Sequence, residues 1–227
     1  MTVHFPQGGM DFLADLAAHN ERAWFQANKK RYEAELKAPS WALVEAINAE
    51  LAQISPAHVT PPGKAISRIN RDTRFSQDKT PYRTQVWGGF HDATRPKGGA
   101  AGFYFGISPV GVGVGAGLWM APKDELGRLR SYIAEHPAQL LAILADLRPE
   151  YGEVQGEKLK RVPRPWDLEH PGAELLKHKG LFVKRDLGLE LATSERLVPT
   201  LAARFRELLP LVRYLDAALD RGPSYVR

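Results

Sequence analysis

The chain has no cysteine among its 227 residues. That absence excludes disulfides, thiol nucleophiles and cysteine-ligated metals. Its seven histidines stand at positions 4, 19, 58, 91, 136, 170 and 178. None is paired one helical turn from another, and no His-Glu-x-x-His occurs, so a helical zinc site has no support. No Gly-x-Ser-x-Gly elbow is present, which leaves a hydrolase serine without its usual setting. No glycine-rich loop runs into Lys-Ser/Thr, as a phosphate cradle would. No cofactor is expected. Long apolar runs are also missing. The most apolar stretch, residues 101–120, is interrupted by six glycines, Ser108 and Pro109, and reads as a hairpin rather than a membrane span. The opening MTVHFPQGGMDF lacks a basic region followed by an apolar run, so no signal peptide is expected. These absences fit a soluble cytoplasmic protein with no membrane partner.

What is present suits one α+β domain over residues 1–227. Hydrophobic residues make up 44% and charged residues 25%, an ordinary globular balance. The length suffices for a sizeable core without staples. Helical spacing predicts a helix over residues 8–18, then a second over 21–37 capped by Asn20. Pro39 reads as an interruption, with Ser40 capping a third helix through Ile54. Strands are expected at 65–71, 84–91, 102–108 and 111–120, a mostly antiparallel sheet covered by helices from both ends of the chain. Gly111, Gly113, Gly115 and Gly117 share one face of the last of these strands. A bare face of this kind admits a close neighbour: a helix, the basic loop or a ligand. Further helices are expected from Pro122 to His136, over 138–147 and 173–179, and from Thr193 or Ser194 to Leu209. A loop is expected at 92–100, another at 148–157, a strand at 181–184, and a kink or break at Pro210.

Charge is concentrated. Residues 64–83, KAISRINRDTRFSQDKTPYR, hold six basic and two acidic side chains, a net +4 against +5 for the whole chain. Asp72-Thr73 breaks the strand, and Ser76, Asp78 and Pro81 are turn formers. The segment therefore reads as a basic loop held at Phe75 and Tyr82. Arginine forks there suit a carboxylate or phosphate.

The run Arg71-Asp72-Thr73-Arg74-Phe75-Ser76-x-Asp78-Lys79-x-Pro81-Tyr82 resembles the signature of a bacterial and fungal domain-of-unknown-function family of conserved hypothetical proteins. Glu21-Arg22-Ala23-Trp24-Phe25, Gly102-Phe103-Tyr104, Gly115-Ala116-Gly117-Leu118-Trp119 and Leu159-Lys160-Arg161-Val162-Pro163-Arg164 fit the same family, in order along nearly the whole chain. The resemblance implies no catalytic residue and no reaction.

The residues themselves give the candidates. Arg68, Arg71 and Arg74 would hold an anionic ligand, a phosphorylated one above all, and Lys79 would add charge. Asp72 would orient an arginine or act as a base, and Tyr82 would supply a hydrogen-bonding wall. Two other uses of the same residues stand beside this one. The arginines brace the loop through carboxylates and carbonyls, and the protein works through a partner. Alternatively, residues 64–83 and a second cluster, Lys158, Lys160, Arg161 and Arg164 with Trp166, form a nucleic-acid-binding module. A proline-interrupted segment wrapping the domain, with Trp166 as anchor, is the commoner use of such a cluster. His91 and His170 are the histidines to watch as acid/base groups.

Overall fold

In the computed structural model, residues 3–92, 94–95 and 100–220 are described. Of the expected 92–100 loop, positions 93 and 96–99 lie outside the described residues. Contacts divide the chain into two compact units. Unit 1 comprises Met1–Phe90, Tyr104–Val114 and Asp186–Ala203. Unit 2 comprises His91–Phe103, Gly115–Arg185 and Arg204–Arg227.

The chain begins with α1 (Gln7–Ala18), α2 (Arg22–Ala27) and α3 (Lys29–Arg31). A π-helical turn, Tyr32–Lys37, then leads without a break into α4 (Ala38–Ile54). Pro39 therefore does not interrupt the helix, and Ser40 is not its cap. Proline has no N–H to return to the carbonyl four residues back. The chain widens by one residue instead, so that the Ala38 N–H donates to the Glu33 carbonyl. Buried Ser40 donates its hydroxyl to the Leu36 carbonyl at 2.6 Å. α1 presses on this turn at Gly9, where a Cβ would stand 2.5 Å from the Glu35 carbonyl oxygen.

A short α5 (Pro62–Ala65) replaces the start of the expected strand at 65–71. What remains of that strand is two isolated antiparallel rungs, Ile66 with Gly88 and Asn70 with Tyr82. Four regular strands follow: β1 (Val86–His91), β2 (Gly102–Ser108), β3 (Gly111–Leu118) and β4 (Leu181–Asp186). They form one antiparallel sheet in the order β1-β2-β3-β4, so the fold class is α+β. β1 shows period-two burial, with Val86, Gly88 and Phe90 inside. Gly88 leaves room for the Phe105 ring, which a Cβ would meet at 2.0 Å.

The glycine face of β3 is explained at Gly115 and Gly117, and not by a helix, the basic loop or a ligand. A Cβ at Gly115 would lie 2.4 Å from the Val183 carbonyl oxygen, and one at Gly117 2.2 Å from that of Leu181. The close neighbour is the backbone of β4. Gly117 also has φ of +135°, a region that L side chains avoid.

The remaining helices are α6 (Lys123–Glu135), α7 (Pro137–Tyr151), α8 (Ala173–Leu176) and α9 (Leu197–Leu219). α7 runs through Pro149 to Tyr151, past the expected loop start at 148. α9 runs through Pro210. An interior proline costs about 3 kcal/mol, but Leu208, Leu211, Val212, Leu215 and Leu219 are all at most 1% exposed. Burying each such side chain contributes roughly 1.5–3 kcal/mol, so the apolar stripe outweighs the break. No helix among the described residues is long and apolar enough to cross a membrane.

Candidate functional site

The basic loop belongs to unit 1 and is fixed at its root by main-chain bonds. Arg71 N–H donates to the Pro81 carbonyl at 2.9 Å, and Arg83 N–H to the Ile69 carbonyl at 2.7 Å. These rungs flank the Asn70–Tyr82 pair and turn residues 69–83 into a hairpin. The Asn20 side chain then clamps it. Its Nδ2 donates to the Tyr82 carbonyl at 2.9 Å, and its Oδ1 accepts the Tyr82 N–H at 3.0 Å. Asn20 therefore does not cap α2; Glu21 occupies that position and makes no side-chain cap bond. The Tyr82 ring, 4% exposed, stacks on Phe25 with centroids 4.1 Å apart and planes 19° from parallel. Tyr82 anchors the loop as expected. Phe75 does not: it is 95% exposed, with the Arg74 guanidinium 5.8 Å from its ring centroid.

Inside the hairpin, Asp78 organises the turn. One of its oxygens accepts the Thr80 N–H at 2.9 Å and the Thr80 hydroxyl at 2.8 Å. Its other oxygen takes the Arg71 guanidinium, which also donates to Thr80 Oγ1. Arg71, followed by the two Thr80 donors, pulls the Asp78 carboxyl down to about 2. Lys79 Nζ donates to the Thr73 carbonyl at 2.9 Å, across the loop.

The six residues singled out from sequence separate into three groups. Arg71, Lys79 and Tyr82 line one cleft of about 350 Å³, together with Asn20, Glu21, Arg22, Asn70, Thr73 and Pro81. Asp72 and Arg74 line neither this cleft nor the second one. They pair with each other in a two-point contact, Arg74 Nε to Oδ1 at 2.9 Å and a terminal nitrogen to Oδ2 at 2.7 Å. Both are exposed, at 77% and 59% of their side chains. The guanidinium, with the Arg74 N–H behind it, holds the Asp72 carboxyl below its ordinary value. Arg68 lines a second cleft with Lys37 and Trp41.

Sequence reasoning overlooked Arg22 as a cleft residue. It opens α2, is exposed, and forms no ion pair among the described residues. Nothing local marks it. It reaches the hairpin because Asn20, two residues earlier, bonds Tyr82 across 62 positions. The cleft thus gathers three cations, Arg22, Arg71 and Lys79, against one acid, Glu21.

The second basic cluster lies in unit 2. It is extended, with Lys158 bridged to His178 and Leu159 N–H bonded to the Lys177 carbonyl at 2.8 Å. Trp166 is half-buried. His170 is braced at both nitrogens: Nδ1 accepts the Gly172 N–H at 3.0 Å, leaving Nε2 to donate to the Ala134 carbonyl at 3.2 Å. That tautomer gives it a structural job. Burial lowers the pKa of His91.

With this geometry in view, the chain can be placed. It belongs to the family described as conserved hypothetical protein (DUF2461), whose model matches residues 9–214. No curated protein matches it.

Proposed function

We propose that the unit 1 cleft binds a small anionic ligand, a phosphorylated one above all. The observation that carries this is the convergence of Arg22, Arg71 and Lys79 on one concave surface of about 350 Å³. That volume is at the lower end of small-molecule sites. Arg22 comes from α2 and the other two from the hairpin, so two separate stretches of chain deliver the charge. Asn20 and Asn70 add uncharged polar side chains to the same lining. Arg71 keeps the donors on its Nε and its second terminal nitrogen, since Asp78 and Thr80 both engage the first. Tyr82 serves as wall through its stacked ring. Arg68, Asp72 and Arg74 leave the ligand set and the reading no longer needs them.

A specific observation also favours the brace. Arg71 joins both arms of the turn through Asp78 and Thr80, so it holds the loop whether or not a ligand is present. Arg22 separates the two uses, because it lines the cleft without bracing the loop. Melting the wild type and Arg22→Gln with phosphate, pyrophosphate and nucleoside monophosphates tests the proposal. A ligand at a hundred times its Kd stabilises by about 2.7 kcal/mol, a rise of roughly 5–10 °C for this size of chain. The expected result is a saturable rise in the wild type that Arg22→Gln loses, while the two melt alike without ligand. No rise with any anion, together with early melting of Arg71→Gln, would leave the brace alone standing.

A further inference from the structure

Residues 66–69 line a second cleft, of about 160 Å³, also within unit 1. Its chemistry differs from that of the first. Leu36, Ile69 and Val86 are buried residues in its lining, and the Trp41 ring beside them is 42% exposed, unusual for so large an apolar side chain. Gly63 lies opposite the ring, at a point where a Cβ would stand 3.9 Å from it, so residue 63 itself puts no side chain against that edge. Two cations border the apolar surface. Lys37 sits 5.6 Å from the Trp41 ring centroid and 2.8 Å from Glu33, so its charge is largely met. Arg68 is exposed and forms no ion pair among the described residues.

We propose that this cleft binds a small monocarboxylate with an apolar ring. Size and charge decide the class. The cleft is open to solvent and about 160 Å³, close to the volume that holds a benzene ring. One uncommitted guanidinium matches one carboxylate, and the fork geometry permits a two-point contact. A dianionic phosphate would find a single free cation here, whereas three cations line the first cleft. The carboxylate pairs with Arg68, with Lys37 as its second neighbour, and the ring lies against Trp41, Leu36 and Ile69. This inference does not depend on the anion cleft, since the two share no lining residue.

Benzoate is the probe. It is titrated into the full chain while the indole N–H resonances of the five tryptophans are followed by NMR, that of Trp41 being assigned with Trp41→Phe. The expected result is a saturable shift of the Trp41 resonance. Neutral benzamide binds at least about tenfold more weakly, a difference of roughly 1.4 kcal/mol. Arg68→Gln weakens benzoate by a similar factor without changing the ligand-free melting temperature, and Arg22→Gln leaves benzoate binding as in the wild type. The proposal is overturned if benzoate leaves the Trp41 resonance unmoved, if benzamide binds as well as benzoate, or if Arg68→Gln keeps full affinity.

Discussion

Asn20 satisfies both backbone groups of buried Tyr82 with one side-chain amide. Removing it leaves a buried donor and acceptor unmatched, each worth about 1–3 kcal/mol. Asn20→Ala should therefore lower the melting temperature by several degrees and loosen the hairpin root, seen as faster amide exchange at Tyr82. Arg74→Gln should leave the melting temperature unchanged, because its pair with Asp72 is exposed and solvent competes for it. Equal destabilisation by both would contradict this assignment. At this scale the sequence was legible where composition and position coincide. The acid and turn residues of 72–81 do form the turn, and Tyr82 is its anchor. It misleads at Phe75, an aromatic ring that stays exposed instead of anchoring the loop. Arg22 had no signal to read, since the bond that brings α2 to the hairpin spans 62 residues.

Elements were legible where one period dominates. Helical spacing located α1 and α6, and the strand expected at 84–91 is β1 less its first two residues. The exceptions are places where tertiary packing overrode a local rule. Pro39 is absorbed by a π turn, and Pro210 is carried by a buried stripe. The spacing of the β3 glycines signalled a close approach but not its source, which is a strand more than 60 residues away in sequence. Gly117→Ala would both force a positive φ on a side chain and drive a Cβ into the Leu181 carbonyl. It should cost about 2–4 kcal/mol in denaturant melts, and a variant as stable as the wild type would mean that β4 does not approach β3 in this way.

The chain as a whole carries a net +5, and in unit 2 its pH response is shaped by buried His178 and half-buried Asp216. Burial first, then Lys158, lowers His178 from 6.5 to about 4, opposed by a backbone bond with Gly180 and by Glu174. The unfolded chain takes up that proton sooner, so this contribution is present above pH 6.5 and is lost as pH falls towards 4. Burial raises Asp216 from 3.8 to about 7, against the pull of Arg95 and helped by Asp220 and Asp92. Here the folded chain holds the proton longer, so stability falls as pH rises from about 4 to 7. Each shift corresponds to roughly 3–4 kcal/mol, with opposite sign in nearly the same window. The two contributions oppose each other between pH 4 and 7, and His91, lowered by burial, adds stability as pH rises, so the wild type should gain stability modestly across that range. Asp216→Asn should become more stable as pH rises through that range, and His178→Gln less stable. Denaturant melts at half-unit pH steps check this, and two variants with the wild-type profile would refute it.

The most direct test of the central claim is a calorimetric titration of pyrophosphate into the wild type and Arg22→Gln at low and moderate salt. Binding at one site in the wild type, weakened by salt and reduced at least about tenfold in a variant of unchanged melting temperature, is the result expected of a ligand cleft. Undetectable heat in the wild type, or equal affinity in both proteins, would contradict it.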